Sequence, residues 1–201
     1  RLYRLTTPEG LVYELDQNFG IRRVIEPGGQ SLTYSTTGVV HTSGVGIQFV
    51  RDPQGRIRDL VLPDGGIVSY VYTASGDLDS VRDPVDQTTR YTYGLARFPH
   101  YLTEIADPRG VRAVRNEYDD DGRLVATIDA DGHRIAYTHD IDGRTEQVRD
   151  RNGNLSRYVY DDNGWVLAET NALGETTQHT YDANGNELTR TDPLGHVTAW
   201  T

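Results

Sequence analysis

The sequence predicts an all-β chain: an antiparallel meander of short β-hairpins in tandem 21-residue repeats, forming a curved, spiralling sheet. Three observations carry this. Glycine recurs at Gly122, Gly132, Gly143, Gly153, Gly164, Gly174, Gly185 and Gly195, in steps that alternate 10 and 11. One step holds a short strand and a turn, and two steps make a repeat unit. Tyrosine keeps the 21-residue phase, with residues two apart sharing a strand face. Asp-Gly, Asn-Gly and Asp-Pro-x-Gly signals punctuate the chain, and no stretch between them is long enough for an ordinary helix.

The elements follow in chain order. Tyr13 and Tyr34 lie 21 residues apart and phase the first strands. Thr36 to Gly46 is small, polar and Gly-rich, and predicts a long turn. Asp52-Pro53-Gln54-Gly55 predicts a tight turn: the Asp52 carboxylate accepts local amide bonds, Pro53 presets φ, and Gly55 takes positive φ. Tyr70 with Tyr72, then Tyr91 with Tyr93, mark the next two tyrosine strands. Asp83-Pro84-Val85-Asp86 has the turn form without its glycine, and a disturbed region follows.

That region, Gly94 to Ala106, interrupts the rhythm and gathers Phe98, Pro99, His100 and Tyr101. Insertions in repeat proteins map to loops on one face, often the binding face. Phe98, His100 and Tyr101 are therefore a candidate ligand-contacting loop, beside the plainer reading of a longer hairpin whose aromatics pack on the sheet. Asp107-Pro-Arg-Gly110 restores the rhythm, and regularity is greatest after about residue 118. Asp119-Asp-Asp-Gly122, Asp140-Ile-Asp-Gly143, Asp161-Asp-Asn-Gly164, Asp182-Ala-Asn-Gly185 and Asp192-Pro-Leu-Gly195 read as turns. Between them run two columns: Tyr137, Tyr158, His179 and Trp200, and two residues on, His139, Tyr160 and Tyr181. Tyr158 and Tyr160 share a face, and strands one unit apart are expected to stack these rings into ladders, each cross-strand contact contributing about 0.2–1 kcal/mol. The expected structural ladder is Tyr70, Tyr72, Tyr91, Tyr93, Tyr137, Tyr158, Tyr160, Tyr181 and Trp200.

Composition narrows the function. Continuous periodicity over 201 residues argues for one segment, 1–201, with irregular stretches near 36–46 and 94–106. At 36% hydrophobic residues the chain is lean for a self-contained core, which suits a sheet with one tyrosine-rich face and one wet Thr/Arg/Glu face. A net charge of −10 without a basic stripe disfavours nucleic acid. Without cysteine there is neither a disulfide framework nor a thiol nucleophile, and no membrane span is visible.

Specific chemistry is hard to place. Glu117 to Gly122 matches the start of a calcium loop, but the position for the closing bidentate carboxylate is Ile128. His139 and His179 sit in tyrosine columns, and no histidine pair has zinc-ligand spacing. Carboxylates at every turn single out no acid/base pair, and neither a nucleophile elbow nor a phosphate loop is present. The expectation is no catalysis, no metal and no cofactor. The chain starts and stops inside apparent strands without the capping units a repeat array needs, so a piece of a longer protein is expected, with edges at Arg1 and Thr201 open to edge-to-edge self-association.

The unit Gly153-Asn-Leu-Ser-Arg-Tyr-Val-Tyr-Asp-Asp-Asn-Gly164 resembles the RHS or YD repeat, a family named for Tyr-Asp pairs. Here the pairs are Tyr118-Asp119, Tyr160-Asp161 and Tyr181-Asp182, each followed by its glycine at Gly122, Gly164 and Gly185. The resemblance covers essentially the whole chain. It implies β-hairpins wound into a hollow shell, as in bacterial polymorphic toxins, insecticidal toxin complexes and teneurins, where toxin members enclose an effector domain. It thus implies a secreted or cell-surface bacterial protein whose partners are the rest of the shell and an enclosed effector. The aspartate-dependent self-cleavage region of toxin members has no counterpart after Gly195. An extracellular adhesion or carbohydrate-binding module using exposed aromatics is the alternative.

Overall fold

A computed structural model describes residues 1–200, in two compact units, Arg1–Tyr91 and Thr92–Thr201. The first unit runs β1 (Leu2–Thr6), β2 (Val12–Asp16), β3 (Gly20–Ile25), β4 (Ser31–Ser35), β5 (Gly38–His41), β6 (Gly46–Arg51), β7 (Ile57–Val61), β8 (Ile67–Tyr72) and β9 (Leu78–Arg82). β10 (Thr88–Tyr93) begins in the first unit and ends in the second. The second continues with β11 (Leu102–Ala106), β12 (Arg112–Tyr118), β13 (Leu124–Asp129), β14 (Arg134–Asp140), β15 (Thr145–Arg149), β16 (Leu155–Tyr160), β17 (Val166–Thr170), β18 (Thr176–Tyr181), β19 (Glu187–Thr191) and β20 (Val197–Ala199). The chain is all-β, and pairing is antiparallel and strictly sequential within each unit.

Turn chemistry produces this meander. Asp161 shows the recurring form: its amide donates to the Trp165 carbonyl at 3.0 Å, and the Gly164 amide donates back to the Asp161 carbonyl at 3.1 Å. Gly164 has φ +84°, a conformation that suits residues lacking Cβ. A tight turn closed by a left-handed glycine is a three-residue hairpin loop with a bulge. The bulge appears in the register, between Val159 and Tyr160 here, and likewise before Tyr72, Tyr118 and Tyr181.

Two turns depart from the form. Asp86 occupies the glycine position of its turn at φ +63°, so the turn after Asp83 forms without glycine. The loop after Asp140 runs from Ile141 to Arg144 with Asp140 paired directly to Thr145, no bulge, and the positive φ at Arg144 (+49°). Gly143, expected to close a turn like its neighbours, does not take that conformation.

The stretch 36–46 is a correction: the expected long turn contains β5, paired to both β4 and β6. Its glycines serve close backbone approach. A Cβ on Gly38 would lie 2.2 Å from the Ile47 carbonyl oxygen, and one on Gly46 would lie 2.6 Å from that of Val39.

Within each unit the backbone of a strand comes close only to that of its chain neighbours, and almost no side chain is buried, so no second layer covers either face. Among the described residues the buried side chains are only Ala126, Ser31 and Ser80. Stability then comes from hairpins and the contacts between successive ones, as in repeat arrays.

Candidate functional site

The turn aspartates are the most repeated polar feature. Asp182 Oδ1 accepts the amides of Asn184 (2.8 Å) and Asn186 (2.9 Å), while Oδ2 takes the Asn186 side-chain amide at 2.8 Å. The Asn186 side chain and then its amide hold the Asp182 carboxyl below its ordinary range. The predicted turn residues sit in the same frame. Asp52 accepts from Gln54 and Arg56 before Gly55, Asp107 from Arg109 and Val111 before Gly110, and Asp192 from Leu194 and His196 before Gly195. The Asp192 carboxyl is lowered, first by the His196 side chain at 2.8 Å. These carboxylates are occupied in holding turns.

Asp129, Asp131 and His133 bring donor atoms within 4.8 Å of one another on one turn. Asp129 Oδ1 already accepts the Asp131 and His133 amides, and its Oδ2 faces Arg151 at 3.1 Å and His133 at 3.4 Å. The cluster is accounted for by turn chemistry and side-chain pairing.

Tyr158 and Tyr160 share one face, opposite Glu146 and Val166. Tyr137 faces Val148. The expected tyrosine-on-tyrosine ladder is replaced by interleaving. Columns one unit apart are separated by a whole strand, about 9.6 Å for two strand spacings, and Glu and Val side chains of the strand between fill the gap. Tyr70 faces Val81 in β9, Tyr91 and Tyr93 lie on β10, and Trp200 follows β20 with its amide on the Leu188 carbonyl.

Most of the second column is instead tied to the backbone. Tyr72 donates to the Ile57 carbonyl (2.8 Å), Tyr118 to that of Leu102 (2.9 Å) and Tyr181 to that of Val166 (3.0 Å). His139 replaces tyrosine: its Nε2 meets the Leu124 carbonyl at 2.8 Å, so Nε2 carries the proton, and Nδ1 faces Glu146 at 3.1 Å. Each bond ties the end of one strand to the start of the strand before it.

A residue type the sequence reading passed over completes these ties. Arg56 lies over the Tyr72 ring with its guanidinium carbon 4.2 Å from the centroid, and a Cβ on Gly76 would touch it at 3.6 Å. Trp165 packs on Tyr181 (5.6 Å) and against Gly185, where an added Cβ would lie 2.9 Å from the indole. Both residues close one turn, and both precede their tyrosine by 16 residues and their glycine by 20. That spacing was the available signal.

The insertion loop supplies the same clasp differently. Phe98 stacks on Tyr101 (4.9 Å), Tyr101 leans on Tyr118 (5.2 Å), and a Cβ on Gly122 would lie 2.9 Å from the Phe98 ring. Arg97 donates to the Asp120 carbonyl at 2.6 Å. His100 lies in the same loop, just before β11. Phe98 and Tyr101 are thereby brought together on the turn after Tyr118.

Comparison with known proteins gives the family. The RHS repeat model matches residues 118–155 and 160–198. Those two stretches are RHS repeats. The chain finds no match among curated proteins. Its fold is similar to the crystal structure of TcdB2-TccC3-TEV, aligned over 95% of this chain with TM-score 0.58 and 12% identity. It is also similar to the crystal structure of TcdB2-TccC3-Cdc42, over 96% with TM-score 0.50 and 14% identity. The chain spans only 12% and 14% of those chains' own length. No helix among its described residues is long and apolar enough to cross a membrane.

Proposed function

We propose that this RHS segment, residues 1–201 taken as one piece, is non-catalytic wall: part of a curved, shell-forming β-sheet that encloses or displays an effector domain of a longer, exported protein. The single-layer architecture carries the reading. A sheet with almost no buried side chains and both faces uncovered within each unit is built to bound a space. Its structural likeness is to stretches of much longer chains in the TcdB2-TccC3-TEV and TcdB2-TccC3-Cdc42 crystal structures. The turn carboxylates are engaged by amides, which argues against their use as an acid/base pair. β1 and β20 each have one pairing partner, β2 and β19, so their outer edges suit further shell strands. In the isolated segment the same edges favour self-association at high concentration.

The adhesion reading is weaker: Phe98 and Tyr101, its aromatic platform, pack on each other, on Tyr118 and on Gly122, although Tyr101 stays 37% exposed.

The test is electron microscopy of the full-length parent with limited proteolysis. A closed cavity around density for a domain that resists protease until the wall is denatured is the expected result. A solid particle, or a C-terminal domain cut as fast as a free linker, contradicts it.

A further inference from the structure

One clasp in the second unit is empty. The spacing that links Arg56 to Tyr72 and Gly76, and Trp165 to Tyr181 and Gly185, assigns Arg144 to Tyr160 and Gly164. Arg144 is elsewhere. Its left-handed backbone belongs to the bulge-free loop, and its guanidinium pairs with Asp162. Three consequences follow. The Tyr160 phenol has no hydrogen-bond partner among the described residues, unlike those of Tyr72, Tyr118 and Tyr181. A Cβ on Gly164 would meet nothing within 4 Å. An open groove of about 490 Å³ lies there, lined by Glu146, Val148, Tyr158, Tyr160, Gly164 and Val166.

We propose that this groove is a binding site for an arginine side chain presented by a polypeptide partner. The molecule supplies the precedent, since Arg56 fills the equivalent seat over Tyr72 at 4.2 Å. The walls suit the whole side chain. Val148 and Val166 take the methylene stem, Tyr158 and Tyr160 offer ring faces to a planar cation, and Gly164 leaves room for close approach. Glu146 places one carboxylate oxygen 3.1 Å from His139 Nδ1, and its charge is open to an incoming cation. A guanidinium is weakly hydrated, stacks on rings and pairs with carboxylate at once, which an ammonium does less well. An indole also fills such a seat, as Trp165 does, but makes no use of the Glu146 charge.

The test is an NMR titration of the 201-residue chain with the blocked tripeptide Gly-Arg-Gly and its citrulline, lysine and tryptophan counterparts. Expected are shift changes centred on Tyr158, Tyr160 and Gly164, with the citrulline peptide weaker by roughly tenfold. Glu146→Gln should weaken arginine binding, and Tyr160→Leu should abolish it. Should Tyr160→Leu fail to fold, the triple change Ile141→Asp, Asp142→Asn, Arg144→Trp copies the Asp161–Trp165 turn, seats an indole in the groove and should also abolish binding. Equal affinity for arginine and citrulline, tighter binding of the tryptophan peptide, or shifts elsewhere overturns the assignment. So does binding seen only in Arg144→Ala, which would make Arg144 the seat's own occupant.

Discussion

The two units fold by one rule and hold their turns differently. In Thr92–Thr201, eight of nine hairpin turns place two amides on a side-chain oxygen of Asp or Asn: Asp107, Asp119, Asp129, Asp150, Asp161, Asn171, Asp182 and Asp192. In Arg1–Tyr91 only Asp16, Asp52 and Asp83 do so, Asp16 through the amides two and three residues on. There the same backbone turn starts at Thr7, Glu26, His41, Leu62 and Thr73, closed by Gly10, Gly29, Gly44, Gly65 and Gly76 at positive φ. The difference separates two roles. Glycine in the left-handed conformation sets the turn geometry, and the Asx side chain locks it. The RHS model matches only the second unit, where geometry and lock recur together, while strand pairing is the same in both.

Breaking the clasp should have the largest effect. Tyr181→Ala removes a ring packed on Trp165 and His179 and the bond to Val166, and should cost about 3 kcal/mol. Tyr160→Ala, with its seat empty, should cost less than half as much in denaturant titrations. Similar midpoint shifts for the two would remove the clasp from the account.

Glycine comes next. Gly185→Ala combines left-handed strain with a contact 2.9 Å from the Trp165 ring, and should cost about 2–3 kcal/mol. Gly164→Ala meets open space and should cost only the strain, about 1–2 kcal/mol. Thermal melts of the pair decide between packing and backbone strain.

The lock itself is subtler. Asp182→Ala should lower the melting midpoint more than Thr73→Ala, because Asp182 Oδ1 satisfies two amides and the Thr73 hydroxyl accepts one, from Asp77 at 3.1 Å. Acid should find the same asymmetry. The Asp119, Asp161, Asp182 and Asp192 carboxyls lie below their unfolded range, so their contribution is complete above the unfolded value of about 3.9 and fades as pH falls through the lower folded values. Between pH 5 and about 8 these groups should leave stability flat, and acidification below about pH 4 should loosen the second unit before the first. The smallest effect is a gain: Asp86→Gly relieves a left-handed aspartate at φ +63° and should stabilise by about 0.5 kcal/mol, less what its exposed pairing with Arg82 contributes.

Fold class, strand alternation and most turns were legible because Asp and Gly act locally, through bonds spanning two to four residues. Two errors mark where local reading stops. Gly38 and Gly46 look like turn glycines, yet they admit a neighbouring carbonyl, a fact fixed by the pairing of β5 with β6 rather than by the residues beside each glycine. Tyr137 and Tyr158 look like a stack, yet the intervening strand sets them too far apart. The clasps of Arg56 and Trp165 were readable only as a pair of long spacings, 16 and 20, which a search at period 21 overlooks. The vacancy beside Tyr160 was invisible, since Asp140-Ile-Asp-Gly143 matches the regular turn and only the backbone shows the positive φ at Arg144.

The central claim is that both units are one kind of meander, set by turn geometry whether or not the Asx lock is present. Residue-resolved amide hydrogen exchange tests it most directly. The account predicts protected cross-strand amides in β2 to β9 as well as in β12 to β19, with the amides two and four residues after each turn start protected at Asp182 and Asp192 and exchanging faster where Glu26 or Leu62 begins the turn. Protection confined to the second unit, with residues 1–91 exchanging as an unfolded chain, would contradict it.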